Sequence, residues 1–300
     1  MSSEVREQDP EERHTDFDNG KAHPARVYDV FLGGKDNYPV DRAAAAAALA
    51  ANPRGYLDVR HNRDFLRRAV KRLTGQAGIR QYLDIGTGLP TQENVHEIAQ
   101  RLAPDSRVVY VDNDPVVLAH ARALLTSGPD GVTDYIDADF NDPDLILETA
   151  ARTLDFEQPI ALVLVAILHF VEDAEAHSVV RRLVEALSSG SRLVLSHLTE
   201  DLNAENVRAV QRTYTERGFT FVLRSRAEVE RFLTDNGLEV DSPGVVPVHH
   251  WHPDHAAPVP ERPDGDRLAD LDTIDQVKYA DINDVTDADI NVYAVTGRKR

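Results

Sequence analysis

Between residues 79 and 197 short apolar runs alternate with helical patterns, and this alternation narrows the possible folds more than any other feature. Runs at 81–85, 107–111, 132–136, 160–167 and 191–197 read as strands. Patterns at 91–102, after Asp114-Pro115, at 143–153 and at 173–187 read as the intervening helices. Asp as an N-cap followed by Pro at the first helical position is a helix start. The run at 160–167 is apolar throughout, as expected of a central parallel strand covered on both faces. Such alternation builds a parallel, doubly wound α/β sheet. Helices are expected over 202–217 and 226–235, the second opened by a capping box from Ser225 to Glu228. Strand candidates at 238–248 and 291–296 follow with no clear crossover helix, which predicts an antiparallel closing pair. The expected fold class is therefore α/β: a Rossmann-like sheet of seven strands, mostly parallel, the last antiparallel.

The first 75 residues differ in kind. Residues 1–22 are polar and aperiodic, and disorder is expected there. A short helical pattern at 25–38 is broken by Gly33-Gly34, 43–51 is almost pure alanine, and another helix is expected over 54–73. The expected organisation is an acidic tail (1–22), a helical N-terminal cap (23–75) and one sheet domain (76–300). An acidic insertion near 264–290 reads as a mobile surface segment.

Charge and composition remove several function classes. The net charge of −18 is concentrated in two stretches: residues 1–20 hold seven acids against two bases, and 254–290 eleven against three. The body is only mildly acidic, which argues against a phosphate-backbone binder, so no nucleic-acid partner is expected. The chain has no cysteine, which excludes a disulfide scaffold, a Cys-ligated metal and thiol catalysis. The longest apolar run, 160–168, falls far short of the ~20 residues of a membrane span. The N-terminus has neither a basic start nor an apolar stretch, so a cytoplasmic location is expected.

The chemistry begins at the end of the first strand, which reads Tyr82-Leu83-Asp84-Ile85-Gly86-Thr87-Gly88-Leu89-Pro90-Thr91. Glycines suit a tight turn whose backbone a ligand approaches closely. As a dinucleotide fingerprint the motif is incomplete, because its third glycine position holds Thr91. As the turn of a nucleoside-binding methyltransferase it has the required acid, Asp84, two residues before the first glycine. Asp112 ends the second strand, where a carboxylate can accept two hydrogen bonds from a ribose diol. Asp114 is already explained as an N-cap. Asp139 and Phe140 follow the third strand, where the acid can accept from an adenine amino group and the ring can lie against the base.

With these residues in place, the chain resembles class I S-adenosylmethionine-dependent methyltransferases. More narrowly, it resembles a largely actinobacterial family long carried as a domain of unknown function. The resemblance rests on ARVYDVFLGGKDNY (25–38), NRDFLRRAV (62–70), QYLDIGTGLPTQENVHE (81–97), RVVYVDNDPVVLAHARALL (107–125), LVLVAILHFVED (162–173) and SRLVLSHLT (191–199). It implies S-adenosyl-L-methionine as cofactor, with Thr87, Asn113 and Ala166 joining the cofactor contacts, and it supplies no substrate. In such a frame Arg60 and Arg63 can pair with the methionine carboxylate. Pro90 stands where the usual motif has a third glycine, and it fits the first turn of a helix.

The expected function is methyl transfer to a small-molecule acceptor. The alternatives are a non-catalytic S-adenosylmethionine sensor and, disfavoured by Thr91 and by the adenine-site acid, a nicotinamide-dependent oxidoreductase. His169 and His197 follow adjacent strands and are the candidate general bases, with a rate expected to fall at acid pH near an imidazole pKa of ~6.5. The cap around Tyr38 is expected to close over the acceptor. No metal is expected: His249, His250, His252 and His255 cluster, but neighbouring strand residues point to opposite faces.

Overall fold

The structure, a computed structural model, describes residues 20–90, 93–124, 127–254 and 263–300. The expected tail disorder over 1–19, Thr91 and His255 lie outside the described residues.

Three helices come first: α1 (Pro24–Leu32), α2 (Pro39–Ala51) and α3 (Tyr56–Gly75). The alternating part follows as β1 (Gln81–Ile85), α4 (Val95–Leu102), β2 (Arg107–Asp112), α5 (Pro115–Leu124), β3 (Val132–Asp137), α6 (Pro143–Ala150), β4 (Ile160–Val165), α7 (Asp173–Ala186) and β5 (Arg192–Leu198). Then come α8 (Ala204–Thr215), α9 (Arg226–Thr234), β6 (Leu238–Val240), β7 (Val246–Pro247), the short helices α10 (Gly265–Ala269) and α11 (Thr273–Gln276), and β8 (Val292–Lys299). The sheet runs β3-β2-β1-β4-β5-β8-β6. Pairs from β3 to β5 are parallel, and β8 is antiparallel to both β5 and β6. The strand count is eight rather than seven. The expected strand at 238–248 is interrupted, and its two ends, β6 and β7, both pair with β8. α4 also starts later than expected, at a capping box between Asn94 and Glu97.

The two-residue period of the strands divides the core between two faces. Leu83, Val109, Leu162, Leu193 and Val295 face α6, α7 and α9. Tyr82, Val108, Val163, Val194 and Ala294 face the other side, where Phe65, Ala69 and Val70 of α3 cover them together with Trp251. α3 thus forms part of the sheet's own covering layer, and the expected boundary at 75–76 separates it from the strands it packs on. The helices that stand apart are α1 and α2, which share a small core of Val27, Val30, Phe31, Ala45 and Ala48.

The acidic stretch packs against that core instead of standing off the surface. Ile274 and Val277 are buried among the α1 and α2 side chains. Arg42 Nη1 and Nη2 both donate to the Asp275 carboxylate, at 3.1 and 2.9 Å. Arg60 donates to the carbonyls of Val277, Lys278 and Ala280. The stretch is a strap across the cap, and Arg60 serves it rather than a cofactor carboxylate.

Asp58, at the start of α3, accepts from the backbone N–H of Asn291 at 2.6 Å and ties that helix to the approach of β8. Burial pushes its carboxyl up to about 7, against an ordinary 3.8. A folded-state pKa above the unfolded one means that the folded chain holds the proton more tightly. The stability this contributes is complete below pH ~4 and is lost as pH rises through 7. Asp58→Asn should therefore flatten part of the fall in melting temperature between about pH 4 and 7. An unchanged slope would show that the carboxyl is already ionised in the folded chain.

Candidate functional site

The carboxyl ends of β1 to β5 open into one cavity of about 450 Å³, roofed by α1. Apart from Arg60, the residues expected to hold the cofactor line it: Arg63, Asp84, Gly86, Thr87, Gly88, Asp112, Asn113, Asp139, Phe140 and Ala166. His169 and His197 line it as well.

Both turn glycines take left-handed backbone, with φ of 76° at Gly86 and 67° at Gly88. They are needed for different reasons. A Cβ at Gly86 would lie 2.4 Å from Ile167 Cδ1, so the turn presses on the end of β4. At Gly88 the nearest atom would be 4.0 Å away, and backbone conformation alone selects glycine. The turn is tied to β2: Gly86 N–H donates to Val111 O at 2.9 Å, and Gly88 N–H to Asp112 Oδ2 at 2.9 Å. Asp112 Oδ1 accepts from Asp114 N–H at 2.9 Å. The Asp112 carboxylate is thus oriented by two backbone donors while it faces the cavity.

Asp84 is only 5% exposed, and its carboxylate has no hydrogen-bond partner among the described residues. Burial raises its pKa to about 7, against the opposing pull of Arg63. Arg63 donates to Glu93 O (3.0 Å) and Asn94 Oδ1 (3.3 Å), so it reaches across from α3 to the start of α4. Asn113 donates to Asp139 Oδ2 at 2.8 Å, and Asn141 N–H to its Oδ1 at 2.8 Å. Phe140 is buried in the core beneath. Ala166 has a positive φ of 58°, held where its N–H donates to Ser196 Oγ at 3.0 Å.

The two histidines differ sharply. His197 Nδ1 lies 2.7 Å from Leu198 O and so carries the proton, while Nε2, 2.6 Å from Arg224 Nη1, accepts from it. Arg224 is itself buried and donates to Leu168 O, Val171 O and Asp173. Burial, with the Arg224 charge, lowers His197 to about 3. Neither nitrogen is left to take a proton, so His197 props the loop after β4. His169, also 5% exposed, has no hydrogen-bond partner on its ring among the described residues, and its Nδ1 is buried. Burial holds it well below the ordinary imidazole range.

Tyr38 does not reach the cavity. It is the N-cap of α2 and lies under the Arg26 guanidinium, 5.5 Å from ring centroid to Cζ. The conspicuous Gly33-Gly34 break has a packing cause: a Cβ at Gly34 would collide with the Asp29 carboxylate, which Asp36 N–H and Asn37 cap at 3.1 and 2.8 Å. Tyr28, Asn62 and the aromatic residues Phe170, Tyr214, Phe219 and Phe221 line the cavity and were not foreseen. Phe170 follows β4 beside His169, whereas Tyr214, Phe219 and Phe221 lie in and after α8, where the sequence shows no motif.

Asp114 does more than cap α5. Its Oδ1 accepts from Val116 N–H at 2.8 Å, but Oδ2 meets His23 Nδ1 at 2.9 Å and Arg26 at 3.4 Å. Arg26 bridges on to Asp41, which also accepts from the Tyr38 and His23 N–H groups. One carboxylate therefore clamps the cap to the loop beside Asp112. Asp114→Ala removes the helix cap and leaves buried Arg26 with Asp41 as its carboxylate partner and the Lys21 carbonyl. The expected loss is about 2 kcal/mol, more than the ~1 typical of a cap, readable as a lowered denaturation midpoint.

His249 and His250 lie on a 3₁₀ turn, not on a strand, so both Nε2 atoms reach Asp287 Oδ1, at 3.1 and 2.7 Å. His252 turns away to Ser242 O.

A glycine turn after β1, an acid after β2 and a cavity along the strand ends define an α/β protein built to hold a nucleoside-bearing ligand. A family model described as S-adenosyl methyltransferase matches residues 10–300, and the chain belongs to that family, whose cofactor is S-adenosyl-L-methionine. The chain is similar to a DUF574 family protein of Streptomyces avermitilis: 44% identity, 95% of this chain and 100% of that one covered, TM-score 0.84. It is also similar to a candidate methyltransferase of Thermobifida fusca, with 36% identity, 95% and 97% coverage and a TM-score of 0.79. No curated protein matches. No described helix is long and apolar enough to cross a membrane.

Proposed function

We propose that the protein transfers the methyl group of S-adenosyl-L-methionine to a small-molecule acceptor whose proton is taken by His169. The observation that carries this is the pairing of Asp84 with Asp112. A buried carboxylate without a partner costs several kcal/mol unless a ligand supplies the counterpart, and the cofactor's ammonium group is such a counterpart. Arg63 would hold the methionine carboxylate, Asp112 the ribose hydroxyls and Asp139, oriented by Asn113, the adenine amino group. Gly86, Thr87 and Gly88 shape the turn beside the ligand, Ala166 forms the floor and Phe140 flanks the base. When bound, the sulfonium supplies an electrophilic methyl group.

The chain's own tasks are then to align the acceptor, exclude water and accept one proton. Burial keeps the His169 imidazole neutral, as a base must be. Isothermal titration with S-adenosylmethionine, S-adenosylhomocysteine and NADH tests the reading. The two adenosyl ligands should bind and NADH should not. Binding without release of S-adenosylhomocysteine across an acceptor screen would favour the sensor reading instead.

A further inference from the structure

We propose that the acceptor is a neutral, planar hydroxyaromatic molecule, methylated on its phenolic oxygen; this rests on the methyl-transfer reading. Beyond the glycine turn, the cavity ends in an aromatic wall. His169 lies 4.3 Å from Phe170 and 5.4 Å from Phe221 between ring centroids. Tyr214 lies 4.9 Å from Phe221 and 6.1 Å from Phe219. Phe170 closes the group, 6.0 Å from Tyr214.

The wall is rigid. Val222 N–H donates to His169 O at 2.8 Å, Arg224 N–H to Leu198 O at 3.2 Å, and Gln211 to Phe221 O at 2.7 Å. Fixed aromatic faces favour flat aromatic ligands through offset and edge-to-face contacts. Five rings converging on one end of a cavity, with an unpartnered buried imidazole among them, call for a ligand both flat and hydrogen-donating.

The charge pattern narrows the class. Arg63 sits with Asp84 and α4, remote from the wall by sequence and by partners. Asp29 and Asp58 also line the cavity, but Asn37 and Asn291 engage their carboxylates. Among the described residues the cavity lining holds no lysine and one arginine, Arg63; Arg217, whose charge reaches Tyr214, is exposed and donates to Thr213 O, and Arg224 is spent on His197, Asp173 and two carbonyls. A phosphate or carboxylate on the acceptor would be buried there unpaired.

A buried imidazole is a weak base, and it suits a phenol, whose pKa of ~10 resembles that of tyrosine, better than an aliphatic alcohol. In the step, the phenolic O–H proton passes to His169 as the oxygen–methyl bond forms. The methyl–sulfur bond breaks and its electron pair stays on sulfur. The products are an aryl methyl ether, S-adenosylhomocysteine and a proton that leaves His169 for solvent.

The full chain, saturated with S-adenosylhomocysteine, is titrated with 2-naphthol, decahydro-2-naphthol and 6-hydroxy-2-naphthoate, with binding read by saturation-transfer NMR. 2-Naphthol should bind at least about tenfold more tightly than either analogue. With S-adenosylmethionine it should give 2-methoxynaphthalene. Phe219→Ala, a half-buried position, and Phe221→Leu should each weaken naphthol binding and leave S-adenosylhomocysteine affinity unchanged. If S-adenosylhomocysteine binds but the saturated or charged analogue matches 2-naphthol, the acceptor class is wrong and methyl transfer stands. If S-adenosylhomocysteine itself fails to bind, the methyl-transfer reading falls and takes the acceptor class with it.

Discussion

His169→Ala is expected to cut turnover by about 10²–10⁴-fold, the range for a lost general base, while S-adenosylhomocysteine affinity stays nearly constant. The separation follows from position. His169 follows β4 among Phe170 and Phe221, whereas the carboxylates proposed for the cofactor come from β1, β2 and β3. Single-turnover measurement of S-adenosylhomocysteine release checks the rate, and calorimetry checks the affinity. The pH profile should differ from the simple expectation of a fall near ~6.5. Burial lowers the His169 pKa, and the neighbouring His197 and Arg224 lower it further. The imidazole therefore stays neutral, and the rate stays on its plateau, to a pH well below 6.5. A fall centred on 6.5 would show that the ring is hydrated in the working enzyme. Equal loss of cofactor binding and of turnover would place His169 in the cofactor pocket.

Asp112→Ala should weaken S-adenosylmethionine binding by tenfold at least and by as much as about 10⁴-fold. Two charge-assisted bonds to ribose hydroxyls are at stake, each worth ~1.5–3 kcal/mol. The same carboxylate orients Gly88 and Asp114 through their N–H groups, so its removal also loosens the turn. Asp112→Asn separates the two effects, because an amide oxygen can still accept one of these bonds. It should retain most of the folding stability and recover only a part of the affinity. An alanine variant with unaltered affinity would remove Asp112 from the ribose site.

The half of the cavity proposed for the cofactor was legible in the sequence because its parts are local. Gly86 and Gly88 follow a strand, Asp112 ends the next, and strand ends converge in any doubly wound sheet. The half proposed for the acceptor was legible only in part. His169 follows one central strand and His197 lies near the end of the next, and what separates them is Arg224, more than 25 residues on, whose guanidinium takes the His197 lone pair. No spacing rule announces such a long-range partner. Tyr38 and Arg60 were misplaced for a related reason. Both belong to contacts among cap and strap that depend on how helices pack, and Arg60 bonds carbonyls some 217–220 residues away. The strap looked like a loose acidic insertion because its apolar anchors, Ile274 and Val277, are few and widely surrounded by acids. The eighth strand was hidden because β6 and β7 are short and share one partner.

The place of β8 in the sheet has a consequence for how the chain is made. Residues 292–299 lie between β5 and β6, so a strand synthesised long after β5 fills the interior of the sheet, not its rim. Until it emerges, the nascent chain presents the side of β5 that will later bond β8 as an open strand edge bearing Leu193, Val194 and Leu195. At the same stage α9 and β6 have no strand to dock on. An unpaired apolar edge recruits other strands, and such intermediates aggregate. Synthesis therefore leaves a window, about one hundred residues long, in which the β1–β5 half is complete on paper but adhesive in the cell. Chaperone demand should concentrate in that window and close abruptly once β8 inserts.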